Sequence, residues 1–158
     1  MLMFARPHII LLRKHWSAVC FALLALPILA GCGKQEETIS PQAQVVQYLV
    51  GSGNRVWRIK ENYVNGVKQT LTTSQLEYTK TYTISISEPD KSGGTFSDQN
   101  NYAGIWVLTD VDHISETIQN ATAGTISYVL TIRSISANDM DVEYTANGTT
   151  IRTVYYAY

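Results

Sequence analysis

The pattern of polar and apolar residues changes period along this chain, and the change divides it into parts. From Arg55 onward the period is two. In the clearest stretch Leu76, Tyr78, Tyr82, Ile84 and Ile86 fall on one side, with Lys80 the exception. Glu77, Thr79, Thr81, Thr83, Ser85 and Ser87 fall on the other. Such alternation marks a strand with one buried and one wet face. Ile126, Tyr128, Leu130 and Ile132 repeat it against Ser127, Thr131 and Arg133. Met140, Val142 and Tyr144 alternate with Asp139, Asp141 and Glu143, and Ile151, Thr153 and Tyr155 with Arg152, Val154 and Tyr156. Thr, Tyr, Val and Ile, which suit a pleated sheet, are abundant throughout. Asn65-Gly66 and Asn147-Gly148 are type I′ hairpin signals. Asp90 to Gly94, Gln99 to Asn101, Asp110-Val111-Asp112 and Ala137-Asn138-Asp139 read as further turns. About eight strands in meander order follow, with no helix expected after Gly53. The fold class is all-β, an antiparallel up-and-down barrel that closes on itself and so leaves no exposed edge. A β-sandwich of the same strands is the alternative.

Before Arg55 the period is helical. Ser40-Pro41 supplies an N-cap and a first-turn proline. Val45, Val46, Leu49 and Val50 share one side, and Gly51 suits the position past the end. This predicts a short N-terminal helix leaning on the barrel. Lys34 to Ile39 is polar and aperiodic, a tether. Upstream, Arg6, Arg13, Lys14 and His15 make a basic start, and Trp16 to Ala30 is apolar and uncharged. That order is the order of an export signal. The apolar run is about 15 residues, short of the roughly 20 a spanning helix needs. A membrane-spanning anchor and an ordinary cleaved signal remain the alternatives to what its last residues suggest.

Those residues, Leu29-Ala30-Gly31-Cys32, resemble the lipobox of bacterial lipoproteins. The resemblance implies cleavage before Cys32, a diacylglyceryl group on its sulfur and usually a further acyl chain on its amine. Two or three chains, each methylene contributing about 0.8 kcal/mol, anchor firmly where one does not. Gly33, in place of the Asp that retains such proteins at the inner membrane, implies the outer membrane. Glu36-Glu37 after Lys34-Gln35 resembles surface-export signals of Bacteroidetes-type lipoproteins, so the domain is expected on the periplasmic face or at the cell surface. The chain thus divides into residues 1–31, a signal peptide; 32–40, the lipidated cysteine and tether; and 41–158, the barrel domain.

Within that domain, Gly51-Ser52-Gly53-Asn54-Arg55-Val56-Trp57, the Asn65-Gly66 hairpin, Gly104-Ile105-Trp106-Val107-Leu108 and the late stretch from Ile135 to Tyr144 resemble small lipocalin-like lipoproteins of Bacteroidetes. The interval from Gly53 to Trp57 is longer than the Gly-x-Trp of true lipocalins, and no C-terminal helix pattern follows the barrel. The resemblance implies a non-catalytic module binding a small apolar ligand or a glycan. The alternative is an accessory interaction subunit of an outer-membrane complex.

Composition narrows the chemistry. The 13 acidic residues all lie after Cys32, whereas Arg6, Arg13 and Lys14 leave with the signal. The mature part, roughly 127 residues and one domain's worth, is mildly acidic and lacks the basic face a nucleic-acid partner requires. Cys20 lies in the signal, so Cys32 is the sole mature cysteine and leaves no disulfide, thiol nucleophile or zinc cluster. His113, beside Asp110 and Asp112, is the sole mature histidine. It lacks the further ligands zinc or calcium would need, and a solvated turn is expected there. No nucleophile elbow or phosphate-binding loop occurs. No cofactor, metal or enzymatic activity is expected. Trp57 and Trp106 either line a pocket or fill the closed end of the barrel. Tyr156 and Tyr158 either cover a strand edge or form a contact patch.

Overall fold

A computed structural model describes residues 39–88, 91–120 and 124–158. Cys32, the stretch expected to be a signal and most of the expected tether lie outside them. Thr38–Tyr158 forms one compact unit, and its whole core cluster falls between Val45 and Val142, so this segment carries its own core.

The unit opens with helix α1 (Pro41–Val50). The Ser40 side chain caps it by accepting from the Ala43 amide, and Gly51, at φ 60°, ends it. Nine strands follow: β1 (Asn54–Val64), β2 (Val67–Gln69), β3 (Thr79–Glu88), β4 (Lys91–Asp98), β5 (Ala103–Asp110), β6 (His113–Asn120), β7 (Gly124–Ile135), β8 (Asp139–Ala146) and β9 (Thr149–Ala157). Strands β3 to β9 pair antiparallel in sequence order, and β1 pairs with both β3 and β9. Eight strands therefore close an up-and-down barrel. The three-residue β2 hangs on the far half of β1 beyond the reach of β3.

Asn65 and Gly66, and likewise Asn147 and Gly148, all have positive φ, as a type I′ turn demands. Two expectations need correction. One concerns the stretch from Leu76, expected as strand: a one-turn helix, α2 (Thr73–Glu77), precedes β3, and Leu76 on it is exposed. The cause is a capping box, in which Thr72 Oγ1 accepts from the Gln75 amide while Gln75 Oε1 accepts from the Thr72 amide. The other concerns Asp90 to Gly94, expected as a turn: Gly93 and Gly94 run within β4. Gly94 marks a close approach rather than a bend. A Cβ there would lie 1.8 Å from the Thr83 carbonyl oxygen and 2.9 Å from the Trp106 indole nitrogen.

α1 closes one end of the barrel. Its Val45, Val46, Leu49 and Val50 are buried against Trp57, Trp106, Ile114, Met140 and their neighbours. Trp57 Nε1 donates to the Leu49 carbonyl at 3.0 Å, pinning the helix to β1. Arg55 ties the same end together by donating to the carbonyls of Tyr48 and Ala137 at 2.6 and 2.8 Å. Indole burial on this scale is a large stabilising term, since truncating such a side chain to alanine costs about 3–5 kcal/mol.

Candidate functional site

Because side chains alternate along each strand, one set from every strand points inward. Near α1 that set fills the barrel. Toward the other end it leaves a cavity of about 710 Å³. Ile59, Tyr78, Tyr128, Tyr144, Ile151 and Tyr155 form much of its wall, with Leu130 and Val142 deeper and Ala146 near the β8–β9 hairpin. Small-molecule sites commonly run to roughly 300–1,000 Å³ with mostly apolar walls and a few placed polar groups.

The polar groups lie between the filled and the open zones. Lys80, on β3, and Glu116, on β6, are almost wholly buried, at 5% and 0% exposure. Lys80 Nζ donates to Glu116 Oε2 at 2.6 Å. The hydroxyl of Tyr82 donates to Glu116 Oε1, and that of Tyr128 to Glu116 Oε2. Both carboxylate oxygens are thus engaged and three donors converge on one anion. Such an arrangement fixes the position and orientation of the carboxylate. The Lys80 ammonium also lies 4.7 Å from the Phe96 ring centre and 5.2 Å from that of Tyr82, a placement the ring quadrupoles favour. Tyr82 stands edge-on to Trp106, with centroids 6.2 Å apart.

Burial, and then the Glu116 charge, push the Tyr82 and Tyr128 hydroxyls well above the usual phenol range. Burial dominates for Tyr78 as well, which donates to Asp98 Oδ2 at 2.9 Å, and for Tyr155. The hydroxyls of Tyr78, Tyr82, Tyr128 and Tyr155 therefore remain protonated throughout the neutral range.

Lys80 was visible in the sequence as the one charged residue on an apolar strand face. Glu116 carries the same signal, a charge between Ile114 and Ile118 on the apolar face of β6. The residues singled out from the sequence lie elsewhere. Trp57 and Trp106 are fully buried at the α1 end of the barrel and do not line the cavity; Trp106 Nε1 donates to the Thr83 carbonyl at 3.1 Å. Tyr156 pairs in register with Arg58 and Asp139. Tyr158 is 72% exposed, beneath the Arg58 guanidinium at 3.6 Å from its ring centre. Neither terminal tyrosine reaches the cavity, whereas Tyr155 between them forms part of its wall. Cys32 lies outside the described residues. Asp110, Asp112 and His113 do cluster at the β5–β6 turn, with ligand atoms within 4.8 Å of one another. Their contacts are local: His113 Nδ1 lies 2.5 Å from Asp112 Oδ1, and Asp110 Oδ1 accepts from the Val111 amide.

No protein-family model, no curated protein and no solved structure matches the chain.

Proposed function

We propose that this protein is a lipid-anchored lipoprotein of the outer membrane whose barrel is a non-catalytic, lipocalin-like binding module. The anchor is read from Leu29-Ala30-Gly31-Cys32 after its apolar run, with Cys32 as the acylated residue. The observation that carries the binding role is the cavity of about 710 Å³ above the buried Lys80–Glu116 pair. Its walls combine aromatic and aliphatic side chains with Asn62, Ser127, Thr145, Thr153 and Lys80, a mixture that suits a small ligand with an apolar body and a polar end.

The test is a titration of the Thr38–Tyr158 segment with a broad panel of apolar probes and oligosaccharides, followed by tryptophan emission and calorimetry. A saturable response to an apolar probe is expected. It should vanish in Thr153→Phe, which fills the cavity from β9. Absence of saturation across the panel overturns the reading.

An accessory role in a membrane complex has one observation in its favour: Ile105, Val107 and Val129 are exposed on the outer face of β5 to β7. In-cell crosslinking from these positions would recover a discrete partner if that role holds, and none if it does not.

A further inference from the structure

Beyond the binding role, and resting on it, the charge balance of the cavity floor indicates what class of ligand fits. We propose that the cavity selects electrically neutral amphiphiles, molecules with an alcohol, ester or amide head group on a single apolar chain, and discriminates against fatty carboxylates.

An ammonium has three N–H groups. One from Lys80 goes to Glu116, and among the described residues no other acceptor receives the remaining two. Lys80 also lines the cavity, so those donors are the natural partners of a ligand head group. Its charge is already matched. Lys80 and Glu116 form a 1:1 ion pair, and Tyr82 and Tyr128, which donate to it, are neutral.

A ligand carboxylate at Lys80 would place two anions on one cation and bury the surplus negative charge. Burying an unmatched ion is far costlier than burying a hydrogen-bonded neutral group. A cationic head group meets the reverse obstacle: Lys80 repels it, and Glu116 is already occupied by Lys80, Tyr82 and Tyr128. A hydroxyl or carbonyl oxygen accepts from Lys80 and adds no charge. The apolar chain then runs outward past Ile126, Ile151 and Ala146, where removing it from water supplies the affinity.

The experiment compares dodecan-1-ol with dodecanoate, both below their aggregation thresholds at neutral pH, by calorimetric titration of the Thr38–Tyr158 segment. The alcohol should bind more tightly by about tenfold or more, equivalent to about 1.4 kcal/mol. Glu116→Gln leaves the Lys80 charge unmatched, and there the ratio should move toward dodecanoate by about tenfold. Equal or tighter binding of dodecanoate to the unmodified segment overturns the selectivity and leaves the binding module standing. An unchanged ratio in a folded E116Q also overturns it, because the discrimination then does not arise from this pair. If neither compound nor any other apolar probe binds, the binding role itself fails. The comparison on the unmodified segment decides the question even if E116Q does not fold.

Discussion

Replacing Lys80 with methionine tests the energetics of the barrel floor most directly. Methionine keeps most of the length and apolar stem of lysine and removes only the ammonium, so packing changes little. What remains is Glu116, fully buried, without its cation. Losing one partner of a buried pair costs about 3–5 kcal/mol. Tyr82 and Tyr128 still donate to the carboxylate, which places the expected loss near the lower end, about 3 kcal/mol. Against a total stability of roughly 5–15 kcal/mol that is a large fraction, and for a domain of this size it corresponds to a fall of roughly 10–15 °C in Tm. Urea unfolding followed by emission from Trp57 and Trp106 would report it, since both indoles are fully buried. In the double variant Lys80→Met/Glu116→Gln the floor is neutral again, and its loss should fall short of the summed single losses by about 2 kcal/mol. A cost below about 1 kcal/mol for Lys80→Met, with additive singles, would show that the two charges do not depend on one another and would refute the reasoning.

Three further outcomes are expected. Gly94→Ala forces a Cβ onto the Thr83 carbonyl and the Trp106 indole, so it should cost about 1–3 kcal/mol as overpacking does; a neutral result in the same urea assay would contradict the close approach. The raised pKa values of Tyr82, Tyr128 and Tyr155 mean that the unfolded chain releases its phenol protons first, near pH 10. Stability should therefore be complete below about pH 10 and fall above it by about 1.4 kcal/mol per pH unit for each proton the folded state retains; a urea midpoint that stays flat into alkali would contradict this. Cys32→Ala should lose labelled fatty-acid incorporation and leave the membrane fraction, and a variant that stays membrane-bound while the native chain takes up no label would sink the anchor.

The barrel was legible because water imposes its own pattern on strands. Met140, Val142 and Tyr144 had to face inward if Asp139, Asp141 and Glu143 were to stay wet, and period-two sequence says so locally. The helix at Thr73–Glu77 escaped because Leu76 and Tyr78 extend the alternation of β3 backward, masking the capping box at Thr72 and Gln75. The candidate site was only half legible. Lys80 and Glu116 each break an apolar face, yet they lie 36 residues apart. Their meeting depends on the register through β4 and β5 and on the curvature of the wall, which no local pattern encodes. Whether the barrel is filled or hollow was beyond reach for a similar reason. Trp57 and Trp106 occupy the α1 end only because that helix brings Val46 and Leu49 down onto them.

The closing seam has a consequence for how quickly the chain reaches its native state. Seven of the eight seams of the ring join strands adjacent or nearly adjacent in sequence, so they form by local hairpins. The eighth joins Trp57 to Ala157 and Val64 to Ile151. Bringing ends that far apart together costs about 2 kcal/mol more loop entropy than closing a ten-residue hairpin, and contacts of such high sequence separation slow folding. Until that seam closes, β1 and β9 are open edges able to recruit other chains. Tyr158 helps to shut it: its amide donates to the Val56 carbonyl at 2.9 Å, and its ring lies under Arg58. Tyr158 thus acts as a latch on the closing seam, and replacing its side chain would weaken the hold between β1 and the end of β9.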